Sequence, residues 1–277
     1  MSKRIFKYIF LFVFSTTIAH SQNIYSALHL NDQSDYKTKR PKKIIEISTF
    51  YNKSGKEIDT SIKTFDSSGM LLKEQRHGDN GNINRISENV NDTARHIILA
   101  IKVESVNKTL GQSIDDMHFT YDANNFLIRV EHKNKSGVTY LRSEITNNDR
   151  GYPIELTTFN ANGEPYGKEV GTYLYDKNTV ITSVISNTEK VLSTDTMKIS
   201  FKPIGSLRDE NEMYNDRGDV IRYTNKNLNG TKTIYQEEYQ YDSFGNCIDA
   251  KIYTLTTKPN EKQKLKLNRD FQKQYFY

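Results

Sequence analysis

The sequence predicts an all-β chain: repeated antiparallel hairpins laid side by side as a meander or partial β-solenoid sheet. Three observations predict it. A turn phrase recurs, the segments between turns alternate with period two, and no amphipathic helix of convincing length occurs. The phrase is an aromatic or Asn-Asp pair, two or three small polar residues, then Gly or Asn. It stands at Thr64-Phe65-Asp66-Ser67-Ser68-Gly69, Thr120-Tyr121-Asp122-Ala123-Asn124-Asn125 and Asn147-Asn148-Asp149-Arg150-Gly151. It returns at Tyr214-Asn215-Asp216-Arg217-Gly218 and Tyr241-Asp242-Ser243-Phe244-Gly245-Asn246. Asp and Asn side chains bond back to their own backbone, and Gly accepts positive φ, so each copy reverses the chain.

The markers closing these turns fall at 55, 69 and 81, at 125, 137, 151, 163 and 178, and at 218, 230 and 245. A step of 12 alternates with one of 14 or 15, so the unit is a hairpin of 26 or 27 residues. About eight residues remain between markers, one strand of common length.

Taken in order, the chain begins with an export signal at residues 1–21. Lys3, Arg4 and Lys7 precede the apolar run Ile9 to Phe14, and Ala19 and Ser21 supply small residues before Gln22. That is the three-part pattern of a cleaved secretory peptide. The run is too short for a bilayer, which needs roughly 20 apolar residues. Residues 22–43 read as a polar linker, its end rich in Lys and Arg around Pro41.

The β domain is expected over 44–277, starting with a strand at Ile44–Tyr51. Arg95–Val106 reads as one long buried strand. Phe126–Lys133 places Phe126, Ile128, Val130 and His132 on one face. Thr179–Ser186 is apolar on both faces (Val180 and Val184 against Ile181 and Ile185), which predicts cover on both sides. Lys232–Asp242 and Cys247–Tyr253 alternate cleanly, and Glu261–Leu267 fits strand spacing better than a short helix.

Composition narrows function. The three signal-peptide cations account for three of the five surplus positive charges, so the mature chain is nearly balanced. No electrostatic case exists for nucleic acid. Mean hydropathy is −0.73, yet the chain has 18 Tyr and 13 Phe, so aromatic residues carry the apolar surface of half-exposed strands. Cys247 is the only cysteine. It cannot close an internal disulfide and has no basic neighbour to activate it, so it reads as a small packing residue.

Catalytic and metal motifs are not found. His118 and His132 flank the Tyr121–Asn125 turn, a faint hint of a cross-hairpin metal pair, but ordinary strand histidines explain them. Asp79-Asn80-Gly81-Asn82 and Asn147–Gly151 lack the alternating oxygens and distal carboxylate of a calcium loop. There is no nucleophile elbow and no phosphate loop. No cofactor and no enzyme activity are expected.

Tyrosines offer the candidate site. Tyr173, Tyr175, Tyr223, Tyr235, Tyr239 and Tyr241, with Tyr253, recur at similar places in successive units. Two readings stand: a Tyr-rich face for a protein or cell-surface glycan, or cross-strand packing that holds the sheet together.

Tyr239-Gln240-Tyr241-Asp242-Ser243-Phe244-Gly245-Asn246-Cys247-Ile248 resembles the Tyr-x-Tyr-Asp-x-x-Gly-Asn unit of YD-repeat (rearrangement-hotspot, RHS-like) proteins. Thr120–Asp122, Tyr173–Asp176 and Thr64–Gly69 are looser copies. The resemblance spans most of 44–277 and is strongest to short exported repeat proteins of Bacteroidetes type. Large members coil such hairpins into a shell around a toxin. This chain departs from them: it has too few repeats to close such a shell and no Asp-Pro self-cleavage motif. The resemblance implies a β-repeat scaffold and carries no catalytic residues.

The expected function is an exported, non-catalytic scaffold or binding protein of the cell envelope, located in the periplasm, on the outer surface or secreted. A carbohydrate-binding module using the Tyr face is a close variant. An outer-membrane barrel is the other class, suggested by the aromatic C-terminal alternation Phe271, Tyr275 and Tyr277. Barrel strands need an apolar lipid face. Here strands carry Lys, Glu or Asp on both faces, so the chain is not expected to be membrane-embedded.

Overall fold

The computed structural model describes residues 23–31, 39–107, 111–199, 212–226, 232–256 and 264–277. The predicted signal peptide lies outside the described residues. The described chain is one helix, one 3-10 turn and seventeen strands in a single sheet. The first hairpins are β1 (Lys43–Asn52), β2 (Gly55–Phe65), β3 (Leu71–His77) and β4 (Ile83–Asp92). Next come β5 (Ile97–Asn107), β6 (Gly111–Tyr121), β7 (Leu127–Lys133) and β8 (Thr139–Asn147). They are followed by β9 (Pro153–Asn160), β10 (Pro165–Leu174), β11 (Thr179–Ser186) and β12 (Val191–Lys198). The last five are β13 (Glu212–Tyr214), β14 (Val220–Lys226), β15 (Lys232–Tyr241), β16 (Cys247–Thr256) and β17 (Lys264–Phe276).

Every pairing is antiparallel. Neighbours in sequence are neighbours in the sheet from β1 to β12 and from β13 to β17. The exception is a seam: β17 pairs with β1, from Lys43 opposite Phe276 to Phe50 opposite Arg269. The first strand of the domain is therefore an inner strand, flanked by β2 and β17. Among the described residues no pairing joins β12 to β13, so the sheet is open and does not close into a barrel.

The turn phrase forms as its chemistry requires. In the turn after β2, Asp66 Oδ1 accepts from Ser68 N and Met70 N, both at 2.9 Å. The same double acceptance recurs at Asp122, Asn134, Asn148, Asn160, Asn215 and Asp242. The residue three positions after each carries positive φ, for example Asn125 at 64° and Gly245 at 84°. Most of these turns also shift the strand register by one residue where pairing resumes. A bulge of that kind adds local twist.

Two strand expectations are corrected in detail. Arg95 and His96 belong to a turn, with His96 at positive φ, and β5 starts at Ile97. Its Ile97 and Val103 are buried, but Val106 is exposed. In β11, Val180 is fully buried while Val184 is 40% exposed, so that strand is covered over only part of its length. Of the expected strand Glu261–Leu267, residues 264–267 lie in β17 and residues 261–263 lie outside the described residues.

Within the stretch read as a polar linker, Ile24–Leu28 form helix α1. Asn23 caps it, its Oδ1 accepting from Ser26 N at 2.7 Å, and Ile24 N donates to Glu169 Oε2 at 2.6 Å. Ile24 and Ala27 pack on Val103, Met117, Phe119, Leu127, Val130, Ile145 and Leu156, the main apolar cluster. Burying an Ile side chain fully is worth roughly 1.5–3 kcal/mol. Gly171 makes the seat possible, since a Cβ there would stand 3.1 Å from Ile24 Cδ1. No described helix is long and apolar enough to cross a membrane.

Directly opposed residues of adjacent strands share a face, and that rule traces the helix-bearing face across the sheet. Val103 opposes Ser87, Ser87 opposes Glu74, Glu74 opposes Lys63, Lys63 opposes Ile44, and Ile44 opposes Tyr275. The face thus passes from an apolar patch under α1 to a charged band. The opposite face carries an alternating-charge row across five strands: Lys73, Glu88, Lys102, Asp116 and Lys133.

Candidate functional site

The helix-bearing face offers two features: a ladder of tyrosines at the turn end and a charged cavity at the seam. The ladder contains the predicted candidates. Tyr173 donates to Pro153 O at 2.9 Å, Tyr239 reaches Val220 O at 3.0 Å, and Tyr275 donates to Cys247 O at 3.0 Å. Each acceptor is the fifth residue after a turn-forming Asn148, Asn215 or Asp242. Asn91 and Asn147 make the equivalent bonds to Leu71 O and Leu127 O.

A second tier engages the turn itself. Tyr175 accepts from Asn148 Nδ2 at 3.0 Å. Tyr241 donates to Asp219 Oδ2 at 2.5 Å and accepts from Asn215 Nδ2 at 2.7 Å. Tyr277 donates to Asp242 Oδ2 at 2.6 Å and accepts from Asn246 Nδ2 at 2.7 Å. Within each pair the rings lie nearly parallel: Tyr173 and Tyr175 at 6.1 Å, Tyr239 and Tyr241 at 6.2 Å, Tyr275 and Tyr277 at 6.3 Å. The Tyr-x-Tyr spacing thus binds each hairpin to the turn of the one before it. Arg150 and Arg217 lie over the Tyr175 and Tyr241 rings. Burial, helped by the Asp219 carboxylate, pushes the Tyr241 hydroxyl up to about 12. Burial also raises Tyr173 and, with Glu237, Tyr239.

Tyr223 and Tyr235 form a different unit. They oppose each other across β14 and β15 and stack at 4.9 Å. Tyr253 opposes Gln236 and so lies on the other face. The six candidates are therefore brought to one face as three separate stacks. The hydroxyls of Tyr173, Tyr175, Tyr239 and Tyr241 all bond to turn or strand atoms of the sheet itself.

The remaining motif residues are also located. His118 and His132 occupy opposite faces, since His118 opposes Glu131 and Met117 opposes His132. His118 Nε2 lies 3.2 Å from Asp116, and the buried His132 contacts Asp115 through Nδ1. Among the described residues no cluster of His, Cys, Asp and Glu could hold a metal. Cys247 is half-buried, its Sγ donates to Asp249 O at 3.3 Å, and burial pushes its thiol up, which suits a packing residue.

The second feature has no sequence motif. A cavity of about 350 Å³ opens over β17, β1, β2, β3 and β4, lined by Glu46, Ser48, Phe50, Asp59, Ser61, Lys63, Glu74, Arg76, Arg85 and Arg269 among others. Glu74 is buried: Ser61 Oγ donates to it at 2.8 Å and Arg76 Nε lies 3.1 Å away. Burial would raise its carboxyl, but bonds from Arg76 and Ser61 and the Arg76 and Lys63 charges hold it below the ordinary range. Glu46 pairs with Lys273 at 3.1 Å. Arg269 is stacked between Phe50 and Phe271, at 4.3 and 3.8 Å from the ring centres. The period-two polar pattern of Glu46, Ser48, Ser61 and Lys63 looks like a solvated face in sequence. Only the seam, which adds β17, turns it into a concave site.

No family model matches the chain, and no curated protein resembles it significantly. Among solved structures, it is similar to a porin-like protein from Bacteroides uniformis at 11% identity and a TM-score of 0.42, covering 87% of this chain and all of that one. It is also similar to TcdB2–TccC3, at 12% identity and a TM-score of 0.35 over 79% of this chain and 15% of that one. A third is the Photorhabdus luminescens Tc holotoxin pore, at 12% identity and a TM-score of 0.23 over 79% of this chain and 16% of that one.

Proposed function

We propose that the chain is an exported, non-catalytic β-repeat scaffold that binds a partner of the cell envelope through the charged cavity at the β17–β1 seam. The observation that carries this reading is the division of labour on the helix-bearing face. Tyr173, Tyr175, Tyr239 and Tyr241 commit their hydroxyls to turn or strand atoms of the sheet, whereas the seam presents a concave, charged surface. Ligand sites are commonly such pockets of roughly 300–1,000 Å³ with a few convergent polar groups.

Export rests on the N-terminal signal pattern. Cleavage before Gln22 would leave Asn23 and α1 intact at the start of the mature chain. The barrel alternative meets the row of Lys73, Glu88, Lys102, Asp116 and Lys133 on the face away from α1. A Lys or Arg at the bilayer midplane costs about 2–4 kcal/mol in a barrel, so five charges in one band suit water.

Fractionation of cells expressing the full chain tests the proposal. The mature protein should begin at Gln22 and wash off membranes in carbonate. Immobilised mature chain should then retain an envelope protein or glycan, and that retention should fall when Arg269→Gln is used instead. Carbonate-resistant membrane partition, or retention indifferent to the substitution, would overturn it.

A further inference from the structure

The two edges of the open sheet are unequal. Among the described residues every strand except β12 and β13 has a neighbour on both sides. β13 is three residues long, and a short strand is one way in which sheets blunt an edge. β12 is eight residues long and contains neither Pro nor Gly. Residues 191–196 are all exposed, Val191 at 56% and Leu192 at 62%.

The outward backbone groups of β12 follow from two bonds. Thr196 N donates to the carboxylate of Asp195 at 2.8 Å, as an amide turned away from β11 does. Thr194 Oγ1 lies 3.1 Å from Ser183 Oγ, its opposite number on β11. Side chains approach in this way where the two residues exchange no backbone bonds. By alternation, Leu192, Thr194 and Thr196 present their N–H and C=O groups to the open side.

These residues also share one face, with Ser193 and Asp195 on the other. Opposed residues of an antiparallel pair lie on the same side of the sheet, which limits how two copies join. A pairing centred on Asp195 sets two carboxylates against each other. One centred on Ser193 engages only Leu192 and Thr194. One centred on Thr194 opposes Thr194 to itself, Leu192 to Thr196 and Ser193 to Asp195, and it uses all three outward residues of both copies. The register shift where Ile185 meets Val191 confines the overlap to Leu192–Thr196.

We propose that β12 is the interface of a homodimer, two copies pairing antiparallel over Leu192–Thr196 about a two-fold axis through Thr194. In the dimer Thr196 N turns to the ladder, and Asp195 accepts from the Ser193 hydroxyl of the other copy instead. Both copies use the same edge, so the assembly closes at two and does not run on as a fibre. The interface is small, so the dimer is reversible. This inference goes beyond the scaffold reading and does not depend on the seam cavity.

Disulfide trapping and sedimentation of the mature chain test it. Thr194→Cys should link copies on mild oxidation, because opposed residues that exchange backbone bonds have Cα atoms about 5.5 Å apart, within disulfide reach. Mass spectrometry of the linked peptides distinguishes this bond from one through Cys247. Leu192→Cys alone should not link, whereas a mixture of Leu192→Cys and Thr196→Cys chains should. The unaltered chain should sediment as monomer on dilution and as dimer when concentrated. Thr194→Lys, which sets two ammoniums face to face, should weaken the dimer at least about tenfold, and Thr194→Val should leave it intact. An unaltered chain that stays monomeric at every concentration, a mixture that links no better than Leu192→Cys alone, or a dimer indifferent to Thr194→Lys would each overturn the proposal. Slow amide exchange along β12 in a monomer would overturn it too, by showing that the chain covers this edge itself.

Discussion

The hydroxyl of Tyr173 donates to the backbone carbonyl of Pro153, 2.9 Å away and twenty residues back in the chain. The bond joins β10 to the first residue of β9, just after the turn that Asn148 builds. Tyr239 with Val220 and Tyr275 with Cys247 repeat the relation. Tyr173→Phe keeps the ring stack and removes only this bond. A typical internal hydrogen bond contributes about 0.5–1.5 kcal/mol, so the unfolding free energy should fall by that much, read as a lower urea midpoint at unchanged slope. Tyr166→Phe, at an exposed position, should leave the midpoint unmoved.

Gly151 and Gly163 occupy equivalent turn positions, both at φ +79°. They differ in surroundings. A Cβ at Gly151 would stand 2.3 Å from Phe126 Cε1, whereas one at Gly163 meets nothing within 4 Å. Gly163→Ala should therefore cost only the left-handed backbone term, about 1–2 kcal/mol. Gly151→Ala must also displace the Phe126 ring, adding about 1–3 kcal/mol of overpacking. Denaturant melts of the two variants should separate by that increment. Equal losses would show that the ring yields freely.

Alkali should dismantle the ladder. Tyr241 is raised from its ordinary value of 10.0 to about 12 in the folded chain, with burial the largest cause. Tyr173 and Tyr239 move the same way. The neutral hydroxyl is the form that folding favours. Its contribution is fully present below pH 10 and is lost as pH rises from 10 through 12. Urea midpoints should hold steady up to about pH 10 and then fall. In the double variant Tyr239→Phe, Tyr241→Phe the fall should be shallower, and phenolate absorbance at high pH should follow loss of the β-sheet circular dichroism less closely.

Much of this architecture was legible because its determinants are local. Asp66, Asp122, Asn148, Asn215 and Asp242 each bond to backbone two and four residues ahead, so the turn is written in five consecutive residues. The Tyr-x-Tyr pairs were visible too, but not their acceptors, which lie 19 to 35 residues away. Helix α1 escaped because five residues give no periodicity, and its stability comes from Gly171 and the cluster beneath. The charged cavity was illegible for a deeper reason. Arg269 meets Phe50 only through the seam, and pairing between the two ends of a chain leaves no mark in either segment.

That seam makes the strongest demand on the fold. β1 bonds to β17 on one side and β2 on the other, and β17 bonds in turn to β16. Removing residues 264–277 would strip partners from β16 and β1 together, leaving two new unpaired edges. It would also delete Arg269, Phe271 and Lys273, and so one wall of the cavity and a partner of Glu46. Exposed edges invite pairing with other chains. The truncated protein should lose its single cooperative denaturant transition and elute as aggregates in size-exclusion chromatography. Adding back a peptide of residues 264–277 should restore monomer and transition, because the edges of β16 and β1 fit that sequence in a fixed antiparallel register. A truncated chain that stays monomeric and unfolds as sharply as the parent would mean that β1–β12 and β13–β16 hold together without the strand that links them here.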